Sequence, residues 1–355
     1  STLYPPTSAS DPDLLIPIAL LLQRLSADLF SELDLLLEPS KLHLLHLHSP
    51  LQPSLSTLLA SRFPPGTTVH TSFYVVAGLA VGTEEGILSF LSSLASRYES
   101  LVTHFASIAG LDPHGALLIL LLNLRPSDNH NHHLRGHTPD LTLSVAPRLR
   151  AAALSALSAH LAIPPEELSF PTASTATLLQ LFFPASYSGL GLTDPASLSH
   201  SSFLAGFIDS LPLILSNPTI AALLSSPASF PSSPSPTLRA AHSVFHRLAS
   251  LPAFLDSAIA AQGQPDDIPT PALALLLNPI SGLPDFTRVT LAANRHLQSA
   301  FFRVVSRTIL SHLLTAKPPL LPQLDTARIH AASRFGSYAL LTAHNIHPTV
   351  HLSPI

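Results

Sequence analysis

The chain has 355 residues, enough for two or three domains or subdomains and a sizeable buried core. Charged residues make up 11% of it, less than half of the ~25% usual in globular proteins, whereas the hydrophobic content of 46% is ordinary. The net charge of −4 does not by itself point to a polyanion, and the absence of cysteine excludes a disulfide framework, a thiolate metal site and a thiol nucleophile.

The bias is specific: Pro (35) and His (20) are abundant, Met and Trp are absent, and Lys41 and Lys317 are the two lysines. Pyrimidine-rich codons supply Pro, Ser, Leu and His, while Met, Trp and Cys codons all contain guanine. The skew therefore reads as a base-composition bias of the coding strand. The lack of cysteine is compatible with an intracellular protein, nuclear or cytoplasmic. Ser1 to Asp13 is polar and punctuated by proline, with no basic region of a signal peptide. The longest clean apolar run, Gly115 to Leu122, is far short of the ~20 residues that span a bilayer, so no membrane partner is expected.

In chain order, Asp13 to Leu37 reads as an amphipathic helix closed by Glu38-Pro39. Lys41 to His48 places leucine on alternate positions, the period of a half-buried strand. Ser54 to Arg62 reads as a short helix. Val69 to Ala77, β-branched and aromatic, reads as a second strand, expected to share one small sheet with the first. From Thr83 onward the pattern is helical. Thr83 is an N-cap with Glu84 and Glu85 in the first turn, and a 3.6-residue apolar period runs to Ile108. Asp112-Pro113 opens a further helix to Leu124, and Ser127 to Thr138 reads as a polar loop. Leu149 to Ala162, Thr172 to Phe183 and Pro195 to Leu211 read as helices. Ser216 to Pro236 is a Ser/Pro-rich linker. Leu238 to Leu248 and Ala253 to Ala261 are shorter helices, Arg288 to Ala316 is a long one, and Asp325 to Ser333 and Tyr338 to Asn345 close the chain. The expected class is mostly α, a helical bundle with a β remnant of about two strands near the N-terminus.

Three groups of residues carry candidate chemistry. From Phe286 to Ile355 there are seven basic residues and one acid, Asp325, a balance of +6. Within that segment Arg288, Arg295, Arg303 and Arg307 fall inside about a third of a helical turn. One basic face suits a phosphate backbone, because each neutralised phosphate releases counterions; a solvated helix face is the other reading. His130, His132, His133 and His137, with Arg135 among them, form the densest cluster of potential ligands. Asp128 is the one acid nearby to complete a tetrahedral set. The alternatives there are a metal site, a loop contacting phosphates through His132, His133 and Arg135, or a solvated loop. Lys41 stands at the turn into the first strand, as a general-acid candidate or a surface lysine. No Ser-His-Asp or phosphate-loop motif has supporting context, so no small-molecule ligand is expected.

Residues 184 to 214 read PASYSGLGLTDPASLSHSSFLAGFIDSLPLI. A proline-led loop delivers Gly189 and Gly191, then a helix start with Thr193 or Asp194 as N-cap and Pro195 in the first turn. This string resembles the "GGLGL…P-A-A-[YF]-L-A-S" segment of the reverse transcriptases of non-LTR retrotransposons, in the region after the polymerase palm. Four further stretches keep the family's order. LLEPSKLHLL (36 to 45) is similar to "GL-x-LNPSK-x-x-L", and GLAVGTEEGILSFL (78 to 91) to "GxPVGTDE…FL". DPHGALLILLLNLRPSDNHNHHLRGHTPD (112 to 140) is similar to "D-x-Q-x-ALxLLR…HLLRTxPP". DTARIHAASRFGSYALLTAHNIHPTVHLS (325 to 353) is similar to "D-x-ARLxSASGPGAxAWLTAxPT…LS".

The resemblance implies a distal palm over 1 to 82, a helical thumb over 83 to 216, the linker over 217 to 237 and a basic connector over 238 to 355. It implies RNA and DNA template–primer as partners and Mg²⁺ in the intact enzyme. It places Lys41 near the incoming nucleotide. STLYPP (1 to 6) resembles the sequence just after the family's Tyr-x-Asp-Asp box, so the chain is expected to lack the catalytic carboxylates. Asp266-Asp267 lies in a proline-flanked loop and does not replace them. The other readings are a helical interaction module without nucleic acid and a decayed, non-functional remnant. The fragment reading predicts no primer extension on any template with Mg²⁺ or Mn²⁺. Extension by the purified chain would overturn it.

Overall fold

A computed structural model describes residues 43–45, 67–108, 126–164, 181–183, 189–215, 235–251 and 297–315, together with isolated positions between and beyond them. Among the described residues the chain is mostly helical, with two small two-stranded sheets near its N-terminus. Contacts divide it into two compact units, Ser1–Phe90 and Leu91–Ile355.

In the first unit β1 (His43–Leu45) pairs in parallel with β2 (Thr68–His70), with Leu44 opposite Val69. The expected pairing of the two strand regions occurs here, but the Val69–Ala77 run does not form one strand. It bends at Thr71-Ser72, and β3 (Phe73–Val76) then folds back on β4 (Leu79–Gly82) as an antiparallel hairpin. Ala77 and Gly78 join these strands, both at positive φ as a two-residue type I′ turn requires. Closing a two-residue loop costs far less chain entropy than long-range pairing, so the local hairpin captures the second half of the run.

Thr83 starts α1 (Glu84–Ile108), its Oγ1 accepting from the Gly86 N–H at 3.1 Å, in keeping with its reading as an N-cap. The second unit also holds α2 (Pro126–Gly136), α3 (Pro139–Thr142), α4 (Ala146–Leu161), α5 (Pro195–Leu215), α6 (Pro236–Ala249) and α7 (Leu297–Thr315). Helix α5 is the axis of this bundle and packs against α2, α3, α4, α6 and α7. Leu198, Ser199, Ser201, Ser202, Phe203, Leu204, Ala205, Phe207 and Ile208 are all buried, so α5 is covered around most of its circumference. A helix apolar on every face belongs inside a protein. Its serines keep the bundle close: Thr142 Oγ1 and Ser199 Oγ lie 2.5 Å apart, and Ser201 Oγ donates to the Leu198 carbonyl at 2.9 Å.

The stretch expected to be a polar loop, 127 to 138, is α2 with a short turn behind it. Asn, Asp and His are weak helix formers, but tertiary packing overrides propensity. His130, Leu134 and His137 are buried, and α2 has its principal contacts with α5. The approach is set by Gly206, where a Cβ would lie 2.6 Å from the Arg135 carbonyl oxygen. Helix α5 also continues through Pro212 to Leu215, past the expected stop.

Two neighbouring positions on α5 test this packing with opposite signs. Gly206→Ala is expected to cost about 1–3 kcal/mol, since backbone rather than a flexible side chain meets the new methyl. Ser202 Oγ is buried with no hydrogen-bond partner among the described residues, so Ser202→Ala is expected to gain about 1 kcal/mol. Urea unfolding midpoints of both variants against the parent chain check the pair.

Candidate nucleic-acid interface

The glycine string folds into a fixed junction. Gly191 N–H donates to the Phe183 carbonyl at 2.9 Å, and Leu192 N–H to the Leu181 carbonyl at 3.3 Å. Gly189 stands so close to Phe183 that a Cβ would meet its carbonyl oxygen at 2.0 Å. Thr193 follows at φ 56°, a left-handed conformation that strains a β-branched residue. What holds it there is Asp194, the N-cap of α5. Its carboxylate accepts from the Ala196 and Ser197 N–H groups at 3.3 and 3.2 Å and from Ser197 Oγ at 2.9 Å. Arg150 of α4 then grips the same carboxylate in a two-pronged pair, Nε at 2.9 Å and Nη2 at 2.7 Å. The cap alone is worth about 1 kcal/mol.

His130 and His133 of α2 and His137 just past its end fall on one face at i, i+3 and i+7. His130 and His137 are buried, His133 is half-buried and His132 is exposed. His130 meets the buried Tyr98 ring edge-on at 5.2 Å, and His133 and His137 stack at 6.2 Å with nearly parallel rings. Burial first, then the neighbouring imidazoles His130, His137 and His132, push His133 down to about 4. Burial and His132 also lower His137, whose Nε2 is buried without a hydrogen-bond partner among the described residues. These rings are core material of the α2–α5 contact. Among the described residues no three His, Asp or Glu come together as a ligand set for a metal ion.

The arginines divide into two populations. Arg135 donates to Asp209 of α5 and, at 3.0 Å, to Gln298 Oε1 of α7, whose amide in turn donates to Asn131 Oδ1 at 2.6 Å. Arg148 takes Glu99 Oε1 and Oε2 at 2.8 and 2.7 Å and Ser92 Oγ at 2.7 Å, which fastens α4 to α1. With Arg150–Asp194, these are the three arginine–carboxylate pairs among the described residues. Helices α6 and α7 differ. They carry Arg239, Arg247, Arg303 and Arg307, no Asp or Glu lies on either helix, and they pack against each other and against α5. Arg239, Arg247 and Arg307 are exposed, while Ala241, Val244, Phe245 and Leu248 bury the opposite side of α6.

Of the residues singled out from sequence, Arg303 and Arg307 thus lie on α7, in a bundle contact with α6 that sequence reasoning missed. Arg239-x-x-His242-x-x-x-His246 was the available signal, a one-sided spacing in a segment without acids. Arg135, His132 and His133 stand together on α2. Lys41, Arg288 and Arg295 lie outside the described residues.

The buried histidines make stability depend on pH. His133 and His137 bind protons less readily folded than unfolded, so the unfolded chain carries more protons below the ordinary imidazole range. Stability is then complete above about pH 6.5 and is lost as pH falls toward 4, by on the order of 2 kcal/mol. Urea unfolding at pH 7 and pH 4.5 measures the loss, and His133→Gln is expected to reduce it.

No protein-family model, curated protein or solved structure matches the chain.

Proposed function

We propose that the chain grips nucleic acid as the thumb and connector of a non-LTR-type reverse transcriptase, with phosphoryl transfer left to carboxylates it does not carry. The observation that carries this reading is the charge segregation of the bundle. Arg135, Arg148 and Arg150 each pair with a carboxylate within the bundle, while Arg239, Arg247 and Arg307 are exposed on α6 and α7, two packed helices that carry no Asp or Glu of their own. Such a surface neutralises backbone phosphates without reading bases, as a grip that must slide along any template requires. The glycine string supports the same reading. Gly189 stands where a Cβ would meet the Phe183 backbone and Asp194 caps α5, so the segment that carries the resemblance is a built junction.

Fluorescence anisotropy with a labelled RNA–DNA duplex tests the proposal. The chain is expected to bind unrelated sequences alike, with log affinity falling linearly against log salt. Replacing Arg239, Arg247, Arg303 and Arg307 by Ala is expected to weaken binding to all of them and to flatten the slope by about 0.9 for each phosphate that is no longer neutralised. Unchanged affinity and slope would reduce this surface to solvated helix. No binding at low salt would favour a helical interaction module.

A further inference from the structure

We propose that His242 and His246 form a two-imidazole clamp for a borderline transition-metal ion, Cu²⁺, Ni²⁺ or Zn²⁺, on α6. The two residues are four apart on a regular helix and so share a face. Their Nε2 atoms converge to 3.0 Å, with ring centroids 4.3 Å apart. At a metal–nitrogen distance of about 2.0 Å, two imidazoles stand about 2.8 Å apart in cis square-planar geometry and about 3.3 Å apart in tetrahedral geometry. The observed separation falls between these values. An ion enters with a small rotation of either ring, and water completes its coordination.

The pair stands on a capped helix. Ser235 Oγ accepts from the Leu238 N–H at 3.5 Å to cap the helix, and the Phe245 ring stands edge-on to His246 at 5.9 Å. His246 is exposed and His242 half-buried, so the clamp opens to solvent. Imidazole donors select borderline metals over Mg²⁺ and Ca²⁺. Arg239, one turn before His242, and Arg247, beside His246, oppose a dication. Arg247 is turned toward His200 of α5, with Nη1 3.1 Å from Nε2. The histidines of α2 and His137 behind it offer no such site, since His130 and His137 are buried and the His133 and His137 centroids stand 6.2 Å apart. His43 Nδ1 and His70 Nε2 also approach to 3.1 Å, but Tyr74 covers both rings at 4.3 and 4.6 Å. The test is therefore made by subtraction at α6.

The full chain is titrated with Cu²⁺ at neutral pH and followed by calorimetry and electron paramagnetic resonance. His242→Ala/His246→Ala is expected to lose one equivalent of Cu²⁺ that carries two-nitrogen hyperfine structure. Each single variant should weaken that site on the order of 100-fold, the gain that linking two ligands provides. His312→Ala, an exposed histidine of α7, should leave it unchanged. Ni²⁺ and Zn²⁺ are expected to bind the same site more weakly than Cu²⁺. Far-UV circular dichroism checks that the helix survives, and His242→Gln/His246→Gln provides a second double variant that keeps polar side chains. If both double variants retain the parent's stoichiometry and spectrum, the clamp is overturned.

Discussion

The close approach of α2 to α5 at Gly206 is the constraint on which the helical unit depends. The missing Cβ lets the Arg135 backbone seat against α5, and the Arg135 side chain then reaches Asp209 on α5 and Gln298 on α7. One contact thereby fixes three helices. With α5 buried on nearly every side, each neighbouring helix owes its apolar face to the same axis. Side chains at Leu204, Phe207 and Ile208 contribute about 1.5–3 kcal/mol each by leaving water. The ion pairs at the surface, half-exposed as Arg135–Asp209 is, contribute under about 1 kcal/mol each and act mainly on geometry.

That division of labour shapes the electrostatics. A chain with so few charges has few carboxylates to distribute, and Glu99 of α1, Asp194 at the cap of α5 and Asp209 of α5 pair with arginines of α4 and α2. Helices α6 and α7 carry arginines and no acid of their own. The buried polar groups follow a different logic. Imidazoles in the α2–α5 contact fill volume as aromatics would, and they are held neutral because a charged ring costs far more to bury than a neutral one. The same residue type on α6 stands at the surface and turns both Nε2 atoms to one point.

Much of this was legible in the residues. The Thr83 cap with its acidic first turn marked the start of α1, and the apolar period marked its course. Gly189, Asp194 and Pro195 marked the start of α5, and the alternating leucines near His43 marked β1. These signals are local, since a cap, a turn or a periodic face is written within a few residues. The errors have two causes, one distant and one local. Ser127 to Thr138 looks like a loop because its composition is polar, yet α2 forms because α5 offers a place for His130, Leu134 and His137. Likewise Val69 to Ala77 looks like one strand, and the turn at Ala77-Gly78 divides its partners.

The helical class, the small β element before Thr83, the caps and the excess of basic residues toward the C-terminus are all written in local stretches of chain. Periodicity, capping and charge are properties of neighbouring residues, and they survive any rearrangement of the elements. Packing between distant elements settles which of the described histidines are core and which are surface, which carboxylates Arg135, Arg148 and Arg150 meet, and that α6 and α7 adjoin. Residues such as Arg150 and Asp194, or Arg135 and Gln298, are far apart in the chain. Their pairing follows from where α5 buries itself, which no local pattern records.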